Sequence, residues 1–373
     1  MSMSENTVSE WLVYVGTYTT GPFKNWPATK SEGLYVYRMD ASTGELVYSS
    51  HLKGVSNPTF LSIDKKHRTL YALSEIHEFE GKESGAVGAY TIDSTTGGLT
   101  LLNQQSSVGT GPCHLCLDKT EKFVLVANYA GGSVAVLPIL GDGRLGEATE
   151  FIQSEGSSVN PERQMEPHAH SIYVDHNNRY AINADLGMDK ILVYAFDATA
   201  GKLRLNEELC VSSKAGAGPR HFTFHPNGKY AYLINELDST MVAYMYDVNR
   251  GKLDEIQALS TLPEDFNDIN HCADLHIDPS GKFLYGSNRG HDSLVIFEID
   301  EGTGRLKYVA HESTQGECPR NFVIDPTGTW LLAANQNTDT IVTFRRDKQT
   351  GRLTSTGHIA NVPAPVCLEL IPG

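Results

Sequence analysis

The sequence predicts an all-β fold, a seven-bladed β-propeller with four antiparallel strands in each blade. A unit of about fifty residues recurs seven times, and each copy holds short apolar runs separated by turns. The 34 glycines and 16 prolines suit a chain of many short strands. The chain starts with the last three strands of a blade and ends with a lone first strand, so pairing the two ends would close the ring.

Each copy supplies its strands in the same order. The first strands are predicted at TFLSID (59–64), CHLCLD (113–118), HSIYVD (170–175), RHFTFH (220–225), ADLHID (273–278), RNFVID (320–325) and VCLELI (366–371). The second strands are predicted at 12–18, 69–75, 123–129, 180–186, 230–236, 283–289 and 330–336. The third strands follow at 33–40, 85–93, 133–140, 190–197, 240–247, 293–300 and 340–347. The fourth strands, after a glycine turn, are predicted at 44–50, 97–103, 143–149, 201–207, 251–257, 304–310 and 351–357.

These repeats predict one domain. We expect residues 1–10 to be a disordered N-terminal segment and residues 11–373 to form a single propeller. Each blade would cover the apolar face of its neighbour, and ring closure would remove the exposed sheet edges. A β-sandwich, the main alternative, does not explain a sevenfold repeat.

Composition and charge narrow the possible partners. The chain is 40% hydrophobic and 20% charged, as in ordinary globular proteins, and no apolar run approaches a membrane span. The N-terminus does not resemble a signal peptide, so we expect a cytoplasmic protein, monomeric or weakly dimeric. A net charge of −15 argues against nucleic acid or a membrane as partner. A few arginines in one cleft could still bind a small anion.

The blades differ from one another at two positions. The residues at the start of the first strand are Thr59, Cys113, His170, Arg220, Ala273, Arg320 and Val366. The residues at the end of the second strand are Tyr18, Glu75, Tyr129, Leu186, Glu236, Arg289 and Gln336. The position just before these is more uniform and is expected to tie the strand end to a loop, through Asn128, Asp185, Asn235, Asn288 and Asn335. Variation among otherwise similar blades indicates a functional rim.

The two variable positions lie at one edge of each sheet because the strands are antiparallel. First strands line the channel of a propeller, so Arg220 and Glu236 are predicted to be neighbours at one mouth. The predicted pocket contains His168, His170, Arg220, Glu236, Arg289, Arg320 and Gln336. A plain salt bridge between blades is the alternative explanation for Glu236. Strand alternation predicts that His114 and His221 point away from this pocket.

We expect no metal and no cofactor. The Cys113-His-Leu-Cys116 spacing has no second copy, and residues i and i+3 of a strand face opposite sides. All six cysteines are therefore expected to be reduced core residues. His168 and His170 share a strand face, but a metal there would need Glu236 as a ligand beside three arginines that repel cations.

Several stretches resemble the lactonase family of seven-bladed propellers, and the similarity spans essentially the whole chain. They are GAGPRHFTFHPNGKYAYLINELDST, SNRGHDSL, PHAHSIYVD and FVIDPTGTWLLAANQNTDTI. This family contains propeller-type 6-phosphogluconolactonases and 3-carboxy-cis,cis-muconate lactonizing enzymes. The resemblance implies active-site residues at His170, Arg220, Glu236 and Arg289, which the blade comparison also selects. It lends no support to the Glu75-Ile-His77 stretch.

The resemblance implies hydrolysis of a sugar lactone, 6-phospho-D-glucono-1,5-lactone to 6-phosphogluconate in the pentose phosphate pathway. Our hypothesis is that Arg289 and Arg320, with His168 and Gln336, bind this small anionic substrate. Arg220 would polarise its carbonyl. Either His170 or Glu236 would activate water, and we favour His170. A carboxymuconate-type cycloisomerase, another lactonase, a ligand-binding propeller and an interaction scaffold are the alternatives.

Overall fold

A computed structural model describes residues 8–21 and 29–373, and it confirms the seven-bladed propeller. Blade 1 joins the N-terminal strands Glu10–Thr17, Gly33–Asp40 and Leu46–Lys53 to the C-terminal strand Pro365–Pro372. The strands of blade 2 are Leu61–Ile63, Thr69–Ser74, Ala86–Ile92 and Leu99–Ser106. Those of blade 3 are Pro112–Leu117, Phe123–Asn128, Ser133–Pro138 and Glu150–Gln153. Those of blade 4 are Ala169–Val174, Tyr180–Asp185, Lys190–Asp197 and Lys202–Leu205. The strands of blade 5 are Pro219–Phe224, Tyr230–Asn235, Thr240–Asp247 and Lys252–Ser260. Those of blade 6 are His271–Ile277, Phe283–Arg289, Ser293–Ile299 and Leu306–Ser313. Those of blade 7 are Pro319–Ile324, Trp330–Asn335, Thr340–Arg346 and Leu353–Asn361.

The two ends of the chain close the ring as predicted. The strand Pro365–Pro372 pairs antiparallel with Glu10–Thr17, with Val13 opposite Leu370 and Val15 opposite Leu368. The expected disorder of residues 1–10 concerns a segment whose first seven residues lie outside the described part of the chain. Within the described residues, no helix is long and apolar enough to span a bilayer.

The fourth strand of blade 3 lies later than predicted. It runs over Glu150–Gln153, whereas the prediction placed it at 143–149. The side chain of Leu145 is instead buried between blades 2 and 3, and its backbone oxygen accepts a 2.7 Å hydrogen bond from the Asn103 amide. Residues 139–146 form a tight turn in which Ile139 pairs with Leu145, and the fourth strand begins only after it.

Three short elements complete the secondary structure. A small hairpin, Glu78–Phe79 with Lys82–Glu83, lies between the second and third strands of blade 2. In blade 4 a 3₁₀ turn, Glu207–Leu209, leads into Val211–Ser212, which pairs with the third strand of that blade.

The core lies between the blades. The seven large apolar clusters among the described residues each combine side chains from neighbouring sheets, as where Tyr232 and Ile234 of blade 5 pack with Leu284 and Phe297 of blade 6. A recurring tyrosine in the second strand also links successive blades, since its hydroxyl donates to a glycine carbonyl of the next blade. These pairs are Tyr14 with Gly97, Tyr71 with Gly143, Tyr232 with Gly304 and Tyr285 with Gly351.

Four of the five polar side chains predicted to tie the strand ends to a loop do so; the exception is Asn235, which donates to the Thr240 hydroxyl of its own blade. The Nδ2 atoms of Asn128, Asn288 and Asn335 donate to the carbonyls of Ser107, Thr261 and Thr314, which lie in loops between blades. In blade 4 the Asp185 carboxylate accepts a 2.9 Å bond from the backbone N–H of His168. The ends of these four second strands are therefore anchored to the loops that surround the channel mouth.

Candidate active site

One mouth of the channel brings most of the predicted residues together. His170, Arg220 and Arg289 surround the carboxylate of Glu236. Arg320 lines the same small cavity as Arg220. Gln336 is buried. Within the described residues its Oε1 has no hydrogen-bond partner, so no polar contact connects Gln336 with His170, Glu236 or the arginines.

Glu236 is the centre of a charged cluster. Its Oε2 lies 3.0 Å from Nε of Arg220 and 2.9 Å from Nη2 of Arg289. Its Oε1 accepts a 2.7 Å hydrogen bond from Nη2 of Arg163. Burial by itself would raise the pKa of Glu236, but the charges of these guanidinium groups outweigh it and hold the pKa well below its usual range. Glu236 is therefore an ionised and fully engaged carboxylate.

Backbone carbonyls fix two of the guanidinium groups independently of Glu236. Arg220 donates to the carbonyl of Ala273, and Arg289 donates to the carbonyls of His271 and Cys272. Burial, together with repulsion from Arg289 and Arg320, lowers the pKa of Arg220 to about 10. Arg220 is therefore a buried guanidinium with two like charges nearby, held in place by Glu236 and by a backbone carbonyl.

Arg163 is a member of the cluster that the blade comparison missed. It lies in the connection between blades 3 and 4, residues 154–168, and also donates to the Tyr129 hydroxyl at 3.1 Å. A comparison of strand ends cannot detect a residue outside the repeat. The available signal was the length of this connection, since it is the longest between any two blades and long loops often carry function.

His170 is held as a neutral imidazole beside the cluster. Its Nε2 lies 3.7 Å from Oε2 of Glu236, and its Nδ1 lies 3.6 Å from Sγ of Cys113. Burial, reinforced by the charge of Arg220, lowers the pKa of His170 well below its usual value. A neutral ring nitrogen can accept a proton, which an imidazolium cannot do.

His168 lies further out and is oriented by Tyr129. Its ring stacks on that of Tyr129 with centroids 4.5 Å apart, and its Nδ1 lies 3.0 Å from the Tyr129 carbonyl oxygen. A carbonyl only accepts, so Nδ1 carries the proton and Nε2 is the free acceptor. The Tyr129 ring also contacts His170 edge to face, which joins His168 to the site.

A second cluster occupies the opposite side of the mouth. The Tyr18 hydroxyl lies 3.0 Å from each carboxylate oxygen of Glu75, and the guanidinium of Arg320 lies 5.3 Å from the centre of the Tyr18 ring. Burial raises the pKa of Glu75 above its usual value, against the opposing effects of Arg320, Tyr18 and Arg220. Glu75, to which the sequence assigned no role, is therefore part of the site.

A small cavity separates the two clusters. Its volume is about 10 Å³, roughly the space of one water molecule. The residues that line it are Thr59, Phe60, Glu75, Cys113, Arg220, His221, Arg320, Asn321 and Val366.

The structure corrects the expectation for His221 but agrees with that for His114. The Nδ1 of His114 accepts a hydrogen bond from the backbone N–H of Ile172, and its ring packs against Phe60. In blade 3 the register of the first strand shifts between Pro112 and His114. In blade 5 the first strand has the same shift between Pro219 and His221. At such a bulge two successive residues can face the same side, so Arg220 and His221 both line the cavity. The His221 ring lies 5.4 Å from the rings of both His114 and His170.

Asp274 forms the floor beneath this cavity. Its carboxylate lies 2.8 Å from Nδ1 of His221 and 2.9 Å from Nε2 of His276, and it accepts a 2.6 Å bond from Asn321. Burial would raise the pKa of Asp274, but His276 and His221 keep it well below its usual value. This network fixes His221 in position.

Within residues 8–21 and 29–373, no group of three His, Cys, Asp or Glu side chains is arranged to hold a metal ion. The cysteines are free thiols, as predicted. Burial raises the pKa of the Cys113 thiol well above its usual value, so this cysteine is an uncharged part of the wall.

Comparison with known proteins identifies the family. Residues 12–370 match the family model described as lactonase, 7-bladed beta-propeller. The chain belongs to this lactonase family. A 6-phosphogluconolactonase of Bacillus subtilis is 38% identical over 316 residues, which cover 85% of each chain. One from Formosa agariphila is 37% identical, covering 84% of this chain and 86% of that protein.

Solved structures of similar proteins share the whole lactonase fold. The periplasmic gluconolactonase of Pseudomonas aeruginosa superposes with a TM-score of 0.90 at 32% identity, covering 97% of this chain and 99% of that one. A Bacteroides fragilis protein superposes with a TM-score of 0.88 at 36% identity, covering 99% and 100%. The resemblance seen in the sequence is therefore confirmed.

Proposed function

We propose that this lactonase-family protein hydrolyses a sugar lactone, and that its substrate is 6-phospho-D-glucono-1,5-lactone. The observation that carries the proposal is the excess of guanidinium groups at the channel mouth. Arg163, Arg220, Arg289 and Arg320 gather there around two carboxylates, Glu75 and Glu236. An anionic ligand would neutralise the excess, and relatives over most of the chain carry the name 6-phosphogluconolactonase.

Arg289 and Arg320 are suited to hold the anionic end of the substrate. Both are partly exposed to the channel. Within the described part of the chain, Arg320 makes a cation–π contact with Tyr18 but no hydrogen bond or ion pair, so its donors are free. Arginine presents a planar fork that matches phosphate oxygens, and His168 lies at the same rim to add a further contact.

Arg220 is suited to polarise the lactone carbonyl. It is 2% exposed and held by Glu236 and by the Ala273 carbonyl, so its position does not change when the substrate arrives. Fixed positive charge aimed at the carbonyl oxygen stabilises the oxyanion that forms as water adds. Because Glu236 orients three arginines, its part in the reaction is to position them.

His170 is suited to accept the proton of the attacking water. It is neutral, it lies beside Arg220, and its weak contacts with Glu236 and Cys113 leave it able to bond a water molecule. Hydrolysis would open the ring to give 6-phosphogluconate, which places the reaction in the pentose phosphate pathway. The expected cytoplasmic location and the monomeric or weakly dimeric state stay predictions.

The proposal is tested by measuring hydrolysis of freshly prepared 6-phosphogluconolactone and of unphosphorylated gluconolactone, with spontaneous opening subtracted. We expect turnover with a lower KM for the phosphorylated lactone, and no change when a chelator is added. The Arg220→Met variant should lose about 10²- to 10³-fold in kcat. Arg204→Met, at an exposed position of blade 4, is the matched control and should retain activity.

Two results would overturn the proposal. One is wild-type protein that does not exceed the spontaneous rate with either lactone. The other is an Arg220→Met variant as active as the Arg204→Met control. Including a carboxymuconate in the same assays tests the cycloisomerase alternative directly.

A further inference from the structure

Glu75 and Glu236 occupy the same position in their blades, the residue just after the second strand, yet only Glu75 lines the cavity. The Glu236 side chain is 5% exposed, and its two oxygens are taken by three arginines. Glu75 is partly exposed, and its neighbouring donors are uncharged: the hydroxyls of Tyr18 and Thr59. Of these two carboxyl groups, only that of Glu75 therefore faces the open space beside Arg220 and Arg320.

The surroundings of Glu75 leave it free to react. Tyr18 is completely buried, and its hydroxyl hydrogen-bonds the Glu75 carboxyl. Arg220 and Arg320 line the small cavity together with Glu75. The hydroxyl of Thr59 also lines the cavity and interacts with the Glu75 carboxyl. A carboxyl group, a hydroxyl and two guanidinium groups thus face one space large enough for about one water molecule.

We propose that Glu75 is a second catalytic residue, the general acid that protonates the ring oxygen of the lactone as the ring opens. The proposal rests on lactone hydrolysis as the function of the site. It gives the two sides of the mouth different tasks. The Glu236 side holds Arg220 and His170 for the attack of water, and the Glu75 side completes the departure of the leaving group.

Ring opening consumes one water molecule and moves two protons. The oxygen of water bonds to carbon 1 of the lactone while His170 accepts a proton from that water. The bond between carbon 1 and the ring oxygen then breaks, and the proton of the Glu75 carboxyl passes to that oxygen, which becomes the hydroxyl of the open chain. His170 returns its proton and Glu75 regains one through solvent, so the net reaction consumes one water molecule.

The charges around Glu75 favour the protonated form once an anion is bound. The groups that face it are Tyr18, Cys113, Arg220, His221 and Arg320. Burial raises the pKa of Glu75, and Arg320 is the strongest opposing group. A bound phosphate that pairs with Arg320 cancels this opposition, so substrate binding would raise the pKa of Glu75 further. The opposite shifts at Glu75 and His170 are those expected of an acid and its partner base.

The test compares two lactones that differ in one atom. Wild-type protein and a Glu75→Gln variant are assayed with 6-phosphogluconolactone and with its analogue that has sulfur in place of the ring oxygen. A thiolate leaves without protonation, whereas an alkoxide needs a proton. We expect Glu75→Gln to lose about 10²- to 10³-fold in kcat with the oxygen lactone and less than about fivefold with the sulfur lactone.

A positioning variant and a matched control accompany this test. Tyr18→Phe keeps Glu75 but removes its buried donor, so we expect a smaller loss of kcat and a displaced alkaline limb in the pH profile. Glu75→Gln should lose that limb altogether. Glu78→Gln changes an exposed glutamate three residues away and should match wild type within about twofold. The melting temperature of each variant shows whether it is folded.

The outcomes separate the two proposals. If wild-type protein hydrolyses the oxygen lactone while Glu75→Gln is equally active, or equally impaired with both lactones, the acid role of Glu75 is wrong and the proposed function stands. If folded wild-type protein hydrolyses neither lactone above background, the proposed function fails and the role of Glu75 fails with it.

Discussion

Each side of the channel mouth has a glutamate at the same position of its blade, but the two glutamates have different neighbours and opposite pKa shifts. In blade 5, Glu236 contacts three guanidinium groups, and its pKa lies well below the usual range. In blade 2, Glu75 contacts a tyrosine hydroxyl, and its pKa is raised by burial. The repeat thus supplies identical backbone positions, and the neighbouring blades decide what chemistry each carboxyl group can perform.

This difference has a simple physical origin. A buried carboxyl group is costly to ionise unless nearby charges or donors compensate for the lost water. Three arginines overcompensate at Glu236, whereas at Glu75 Arg320 and Arg220 only partly offset burial. One side of the mouth therefore holds a permanently charged carboxylate, and the other holds a carboxyl group whose pKa is raised by burial.

The largest effect is expected for Glu236→Gln. Removing this charge leaves three guanidinium groups close together without their counter-ion, so we expect a loss of about 3–5 kcal/mol in the free energy of unfolding at pH 7.5. Activity should fall with it, because Arg220 and Arg289 lose their common anchor. Chemical denaturation and kcat/KM measure the two effects.

The pH dependence of this stability difference shows whether the charge of Glu236 is its cause. The folded-state pKa of Glu236 is lowered, so its ionised form stabilises the protein above the ordinary carboxyl pKa, and this stability is lost as pH falls through the folded-state pKa. The difference in the free energy of unfolding between wild type and Glu236→Gln should therefore become smaller below about pH 4.5. A gap that is unchanged down to pH 3 would mean that packing, and not charge, explains the loss.

An intermediate effect is expected for Arg320→Met. This change removes one donor for the anionic end of the substrate, so KM for the phosphorylated lactone should rise about 10- to 100-fold, with a smaller rise for unphosphorylated gluconolactone. The same change removes the main positive charge that opposes a raised pKa at Glu75. We therefore also expect the alkaline limb of the pH profile to move to higher pH. Equal effects on both lactones would contradict a phosphate contact.

The smallest effect is expected for Glu75→Gln on stability, and its sign is opposite to that for Glu236→Gln. The folded-state pKa of Glu75 is raised, so from about pH 4.5 upward the unfolded chain ionises first and is favoured. Glutamine avoids this penalty, and the variant should be more stable than wild type at pH 7.5, by less than about 1 kcal/mol. The difference should vanish near pH 4. A destabilised Glu75→Gln variant would mean that the two glutamates are alike after all.

The sequence predicted the ring well because the fold depends on periodic burial. Apolar strands alternate with turns seven times, and each blade needs a neighbour to cover its faces, so the closed ring follows. The exception, the fourth strand of blade 3, arose where Leu145 is buried between two blades. The same periodicity supplied the comparison that selected His170, Arg220, Glu236 and Arg289.

The missed features are those that depend on contacts across blades. Arg163 comes from a connection outside the repeat, and a bulge turns His221 towards the channel against strict alternation. Glu75 was in the set of variable rim residues, but nothing local distinguished it from Glu236. Only its placement beside Tyr18 and Arg320, which come from two other blades, reveals a carboxyl group open to the cavity.

By itself, the sequence determined the number of blades, the closure of the ring and the rim where polar residues gather, because spacing along the chain sets which residues face the channel. The tertiary structure decided which of those residues are paired, sealed or available to a ligand. Charge and solvation act over a few ångströms in space, and seven blades that meet around one axis bring together residues as far apart in sequence as Tyr18 and Arg320.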